Sequence, residues 1–337
     1  MIRTNHWLPA AAAGMLWLAV GPAAAQTFTM KLAGIAVNDP SHEYLKKFKE
    51  TIEAKSGGRI KGETYPGAQL GGFPQMIQGV QFGTIELYMG PPGMQRGLDP
   101  RMQVVEAPGL FDNMEHGQKT ITDPRFRDKF AEVNTAKGLK GITFYNYGPS
   151  SYASNSPLRK IDDFKGKKFR VLATKVEIEL MNRLGASGVP MDLAEVLPAL
   201  QNKTLDEVRS SIVVMGAGKY FTVTKYITDV QDSMIPIGAW VSTAWLNKLP
   251  ADLQKMVLDT GREMEDFAYR TSVEFDNRAA QLWKENGAEV IKLSPQDQAE
   301  FLRRARGIAD EVMGNDPALK ELYTLYKEVA DSHRKKG

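Results

Sequence analysis

The sequence predicts an α/β protein of two lobes, and three observations carry that expectation. Strand and helix patterns alternate from Phe28 to Met89. The alternation resumes from Leu139 to Val241. Beyond Pro250, apolar residues recur at helical spacing over a stretch too long for an ordinary globular helix. Strands that alternate with helices build largely parallel sheets, and ligands on such sheets sit beyond the carboxyl ends of the strands.

Phe28 to Ile35 alternates and predicts a strand. Asn38-Asp39-Pro40 then opens a helix, with proline in its first turn, and Leu45, Phe48 and Ile52 make one apolar face. Ser56-Gly57-Gly58 ends it. Arg59 to Tyr65 reads as a second strand, Gln75 to Phe82 as a short helix and Thr84 to Met89 as a third strand, closed by Gly90-Pro91-Pro92-Gly93. Leu139 to Tyr147 is expected to be a strand followed by a polar turn from Gly148 to Ser156. Ile161 to Gly166 reads as a turn, Lys168 to Leu172 as a strand, and Lys175 to Leu184 and Leu193 to Gln201 as helices. The β-branched run Ile212-Val213-Val214 predicts a strand within Asp206 to Met215, and Tyr226 to Val230 and Met234 to Val241 predict two more. Leu253, Val257, Met264, Phe267, Phe275, Ala279 and Trp283 then predict one helix from about Ala251 to Asn286, long enough to brace both lobes. Glu289 to Leu293 is a strand. Ser294-Pro295-Gln296-Asp297 starts a helical tail with an N-cap serine, and Gly314-Asn315-Asp316-Pro317 interrupts it.

Arg3, the apolar run Leu8 to Val20 and the small residues Pro22-Ala23-Ala24-Ala25 have the order of a secretory leader, so residues 1–25 are expected to be removed and Gln26 to begin the mature chain. Its apolar core is shorter than the roughly 20 residues that span a bilayer. The chain has no cysteine, which excludes thiol nucleophiles, zinc–thiolate sites and iron–sulfur clusters. His42, His116 and His333 are far apart and show no metal-ligand spacing, so no metal and no cofactor are expected. The 43 basic and 40 acidic residues are well mixed and leave a net charge of +3, which gives nucleic acid no electrostatic footprint.

Ordered pieces along the chain resemble one family. Ser56-Gly57-Gly58-Arg59-Ile60, Gly67-Ala68-Gln69-Leu70-Gly71 and Gln78-Gly79-Val80-Gln81-Phe82-Gly83-Thr84 are similar to the first-lobe signature of the TRAP-transporter (tripartite ATP-independent periplasmic) solute receptors. Gly166-Lys167-Lys168-Phe169-Arg170-Val171, Leu184-Gly185, Val189-Pro190-Met191, Glu195 and Ala199-Leu200-Gln201 resemble the second-lobe signature, and Trp245-Leu246-Asn247-Lys248-Leu249-Pro250 opens the long helix.

The resemblance implies a two-lobed periplasmic-binding-protein fold with hinge strands and a long helix across both lobes. Lobe I would comprise residues 26–147 with 236–275, and lobe II residues 148–235 with 276–337. It implies a periplasmic receptor that closes on a small organic acid and delivers it to the small and large TRAP membrane subunits. The receptor itself would not be embedded in the membrane. It implies that Arg170 pairs with the ligand carboxylate, which suits the planar fork of a guanidinium. Asn38, Gly90, Ser150, Tyr152, Leu193, Arg209, Ser210 and Trp240 are the further candidate ligand contacts.

The chain departs from the family pattern at Asp206-Glu207-Val208-Arg209-Ser210-Ser211, where many members carry Asp-Gly-x-Glu-Asn-Pro, and at Ser150 and Tyr152, where some place a second arginine. Tyr145, Tyr147, Tyr152, Phe221 and Trp240 fall near segments expected to border the cleft. With one anchoring arginine they suggest an aromatic or otherwise hydrophobic monocarboxylate, the alternative being that these rings are core. Two other readings stand beside the receptor. An ATP-driven importer or a sensor system uses binding proteins of the same general fold. An enzyme would need a nucleophile elbow, a Walker loop or a dinucleotide turn, none of which follows a strand here.

Overall fold

Asp39 starts the first helix as the sequence requires: its Oδ1 accepts the His42 amide at 2.8 Å, with Pro40 in the first turn. The computed structural model describes residues 26–334, so the expected leader lies outside the described residues. The first block is β1 (Phe28–Ala33), α1 (Pro40–Lys55), β2 (Ile60–Tyr65), α2 (Phe73–Phe82) and β3 (Leu87–Gly90), then α3 (Met114–Ile121) and α4 (Pro124–Glu132). The long strand β4 (Leu139–Ser154) leads into β5 (Lys168–Val171), α5 (Lys175–Arg183), β6 (Ser187–Pro190), α6 (Leu193–Gln201), β7 (Glu207–Ser211) and α7 (Ile212–Ala217). A second long strand, β8 (Tyr226–Ser242), returns through α8 (Thr243–Leu246) to α9 (Ala251–Glu263) and α10 (Glu265–Glu285). The chain ends in β9 (Glu289–Ile291), α11 (Pro295–Ala305), α12 (Ile308–Met313) and α13 (Pro317–His333).

The strands form one mixed sheet in the order β2-β1-β3-β8-β4-β7-β5-β6, with β9 beside β8. β1, β2 and β3 run parallel at one end, and β5, β6 and β7 run parallel at the other. Antiparallel β4 and β8 pass through both lobes and are the only strands that do so among the described residues. Helices cover both faces. One apolar layer runs from Val80, Phe126 and Phe144 to Phe169, Leu180 and Phe301, and the other from Phe48, Leu87 and Tyr145 to Val208 and Trp283. The core is thus divided by sheet face and is shared between the lobes.

Five expectations change. The polar stretch after Tyr147 is strand, because Ser150, Ser151 and Ser154 are fully buried and pair across the ladder with β7 and β8. The two strands expected from Tyr226 to Val241 are one. Its ladder passes from Pro149–Met234 to Ser151–Asp229, so residues 230–233 bulge opposite Ser150, with Gln231 at φ 57°. Ile212-Val213-Val214 is helical, because Ser211 caps the turn through the Val213 amide at 3.1 Å and the Ile212 carbonyl accepts the Trp283 indole at 3.1 Å.

The bracing helix is two helices that meet at Met264. There the Gly261 carbonyl accepts the Thr143 hydroxyl at 2.8 Å, and Gly261 lies against Ile142 where a Cβ would come within 2.7 Å. α10 still touches α1 at one end of the sheet and α7 and β9 at the other. Finally, α13, expected with lobe II, packs on α3 and α4 of the first block. Tyr326 lies 4.4 Å from the Phe126 ring, and His116 bonds the Ala330 carbonyl at 2.8 Å.

Candidate functional site

The carboxyl ends of the parallel strands at the two ends of the sheet face one pocket, with about 580 Å³ of empty volume counting its opening. The first block supplies Ile35, Asp39, Ser41, Phe73, Met89, Gly90 and Pro91. The long strands supply Tyr147, Ile235 and Ile237. The second block supplies Arg170, Leu172, Glu177, Leu193, Arg209, Ser210, Ser211 and Val214. Gly90 is required in this wall, since a Cβ there would stand 2.4 Å from the Phe73 ring.

Arg170 sits on β5, between β7 and the edge strand β6, in register with Val189 and Val208, and is 1% exposed. Its Nε donates to the Met191 carbonyl at 3.0 Å and its Nη1 to the Arg209 carbonyl at 3.4 Å. No carboxylate among the described residues forms an ion pair with it. Burial accordingly pulls its pKa below the usual arginine value. A buried cation held by two neutral acceptors, with no carboxylate in direct contact, is an attractor for an anion.

Arg209, 2% exposed, is the opposite case. Its Nη2 pairs with Asp232 Oδ2 at 2.6 Å, its Nη1 with Glu177, and its Nε with the Tyr152 hydroxyl at 3.1 Å. Burial opposes its charge, but Asp232 and Glu177 outweigh that and hold its pKa well above the usual value. Asp232, carried by the bulge in β8, also accepts Ser150 Oγ at 2.7 Å and the Tyr152 hydroxyl at 2.9 Å. Glu177 accepts the Leu172 amide at 2.7 Å. Arg209 and Glu177 border the pocket, Asp232, Ser150 and Tyr152 lie behind them, and the network consumes the second guanidinium. Asp39 is similarly occupied, accepting the Tyr147 hydroxyl at 2.8 Å, and burial raises its pKa.

Of the candidates read from sequence, Arg170, Gly90, Leu193, Arg209 and Ser210 line the pocket. Ser210 is 9% exposed, and its hydroxyl has no hydrogen-bond partner among the described residues. Ser150 and Tyr152 lie behind Arg209, outside the lining. Trp240 is core, stacked on Tyr88 at 5.3 Å and edge-on to Phe144 at 5.9 Å. Asn38, at φ 55°, borders a separate surface groove with Val213, Ala217 and α10. Of the five aromatic residues named near the cleft only Tyr147 lines it. Tyr145 bonds Ser41 at 2.9 Å, and Phe221 packs edge-on to Trp283.

Sequence reasoning missed Ile35, Pro91 and Leu172, although each follows the carboxyl end of a parallel strand, the signal that could have found them. Phe73 and Glu177 carried no such signal, because their roles depend on partners far away in sequence.

No helix among the described residues is long and apolar enough to cross a membrane. Residues 33–316 match the family model described as bacterial extracellular solute-binding protein, family 7. The chain is 28% identical over 254 residues to the 2,3-diketo-L-gulonate-binding periplasmic protein of Escherichia coli, covering 75% of this chain and 77% of that one. It is 28% identical over 299 residues to the C4-dicarboxylate-binding periplasmic protein of Rhodobacter capsulatus, covering 86% and 88%. Its fold matches a TRAP periplasmic solute-binding protein from Desulfovibrio salexigens with bound orotic acid, at a TM-score of 0.85 and 24% identity, over 91% of this chain and 100% of that one. It also matches the sugar-acid-binding protein of Advenella mimigardefordensis in complex with galactonate, at a TM-score of 0.86 and 22% identity, over 92% and 99%. The chain belongs to the family-7 bacterial extracellular solute-binding proteins, the receptors of TRAP transporters, and is a binding protein rather than an enzyme.

Proposed function

We propose that this receptor captures a small monocarboxylate with an apolar, aromatic or otherwise hydrophobic body, held through its carboxylate by Arg170. The observation that carries the reading is the buried guanidinium of Arg170, bonded only to carbonyls and facing walls of Ile35, Phe73, Met89, Leu172, Val214 and Ile237. A second carboxylate would meet Glu177 or aliphatic side chains, since the charge of Arg209 is already balanced. The polyhydroxyl body of a sugar acid would find few free partners, Ser210 among them. The names of the curated relatives, which bind 2,3-diketo-L-gulonate and C4-dicarboxylates, support the acid and leave the body open.

The lobes part within β4 and β8 near Gly148 and Ile235, a division supported by the register shifts there. The mature protein works in the periplasm, where its closed form presents the acid to the TRAP membrane subunits. The leader pattern of residues 1–25 and the extracellular family support that location.

A melting-temperature screen of ligand-free mature protein tests the reading, with succinate, malate, 2-oxo acids, sugar acids, benzoate and cinnamate-type acids. A ligand at 100 times its dissociation constant adds about 2.7 kcal/mol, a shift of a few degrees. Apolar monocarboxylates are expected to score. Tighter binding of C4-dicarboxylates or sugar acids refutes the apolar body, and silence across the panel from folded protein refutes the acid.

A further inference from the structure

Helix α2 begins at the cleft without a cap of its own. Its N-cap residue is Gly72, which has no side chain to offer, and Phe73 leads directly into the pocket wall. The four leading amides of a helix need acceptors, and the helix dipole favours an anion beside them. The acceptor comes from the other lobe. Asp192 Oδ2 accepts the Phe73 amide at 2.8 Å, while its Oδ1 caps α6 through the Ala194 amide at 2.9 Å. One carboxylate thus caps two helices, one from each lobe.

The position of Asp192 ties this contact to the ligand site. The preceding carbonyl, of Met191, holds Arg170 Nε, and the following residue, Leu193, is pocket wall. An anion that settles on Arg170 therefore fixes the strand end from which Asp192 reaches across. Gly72 is matched to the contact: a Cβ there would lie 2.9 Å from Asp192 Oδ1 and 3.0 Å from its carboxyl carbon.

We propose that Asp192 is the positioning residue that holds the lobes closed over the ligand, by capping α2 across the cleft. The inference rests on reading the Arg170 pocket as the ligand site, but its test can be separated from that reading.

Two variants isolate the contact. Asp192→Asn keeps an acceptor for its own helix, since asparagine caps as well as aspartate, but loses the second oxygen that reaches Phe73. Gly72→Ala leaves Asp192 intact and obstructs its approach. The chain has no cysteine, so Lys47→Cys on α1 and Asn202→Cys after α6, both exposed, place one spin label on each lobe. Distance distributions are recorded without ligand and with the acid that scores in the melting screen, or with the pooled panel if none scores.

Wild type is expected to show a closed population that each variant lowers about tenfold relative to open, the loss of one charge-assisted hydrogen bond. Release of a scoring acid quickens by a similar factor, while the ligand-free melting temperature of Asp192→Asn stays at the wild-type value. A purely structural role would lower that temperature and leave the closed fraction alone. Closure that both variants weaken, with no acid bound, sustains the latch and sinks only the assignment of the pocket. Equal closed populations in wild type and both variants, or no closed population in wild type under any condition, overturns the latch.

Discussion

The two buried arginines of the site carry opposite energetics, and Arg170→Met exploits the difference. In the ligand-free protein Arg170 is a desolvated cation with two carbonyl acceptors and no directly ion-paired carboxylate among the described residues, Glu177 and Asp192 acting on it only from a distance. Methionine keeps most of the aliphatic stem and removes the charge. Replacing a buried charge by an apolar side chain of similar volume is often neutral or stabilising. The ligand-free melting temperature should therefore hold or rise. Binding should collapse, because the incoming carboxylate would be buried without its partner. Breaking a buried pair costs roughly 3–5 kcal/mol, which at about 1.4 kcal/mol per decade is a loss of roughly a hundredfold to several thousandfold in affinity. Calorimetric titration of the scoring acid, with melting curves of the free variant, measures both halves. A folded Arg170→Met protein that binds within a few-fold of wild type refutes the anchor. A large drop in ligand-free stability refutes the claim that this charge is uncompensated.

Three further outcomes follow from the same structure. Arg209→Met should behave oppositely, destabilising the ligand-free protein by roughly 3–5 kcal/mol because it strands Glu177 and Asp232 as buried unpaired acids; denaturant titration checks it. Burial, reinforced for Glu106 by the nearby charge of Glu177, raises the pKa of Glu106 to about 8, and burial raises those of Glu207 and Glu265 to about 7. An acid with a raised folded pKa stabilises fully below its unfolded value and loses that contribution as pH rises through the folded one. Melting temperature should thus fall from about pH 5 to pH 8, and Glu106→Gln should flatten the fall; a rising profile would contradict it. Gly261→Ala forces a methyl against the Ile142 side chain and carbonyl at the helix break and should cost about 1–3 kcal/mol, read as a lower denaturant midpoint.

What the sequence made legible is what depends on near neighbours. Asp39-Pro40 and Ser294-Pro295 announced their helices, because a cap and a proline act within one turn. The strand that carries Arg170 was legible through its motif. The full length of β4 and β8 was hidden, because buried polar residues read as a turn until their partners are known. Ser150 lies buried in the ladder opposite Ser211, and Asp232, 82 residues away, takes its hydroxyl. Ile212-Val213-Val214 misled for the reverse reason: side-chain shape favoured a strand, and one serine cap with one indole contact fixed a helical turn. Trp240 and Tyr152 were placed near the cleft by position along the chain. The facing direction of a strand residue depends on register, and the bulges in the β4–β8 ladder shift that register at three places.

Everything proposed above turns on a carboxylate held on Arg170 between the two lobes. A crystal structure of the mature protein with the acid that scores in the melting screen tests it most directly. The carboxylate should be forked on the Arg170 guanidinium, with the rest of the molecule against Phe73, Leu172 and Ile237. An acid bound elsewhere, or bound in this pocket with its carboxylate turned away from Arg170, would contradict it.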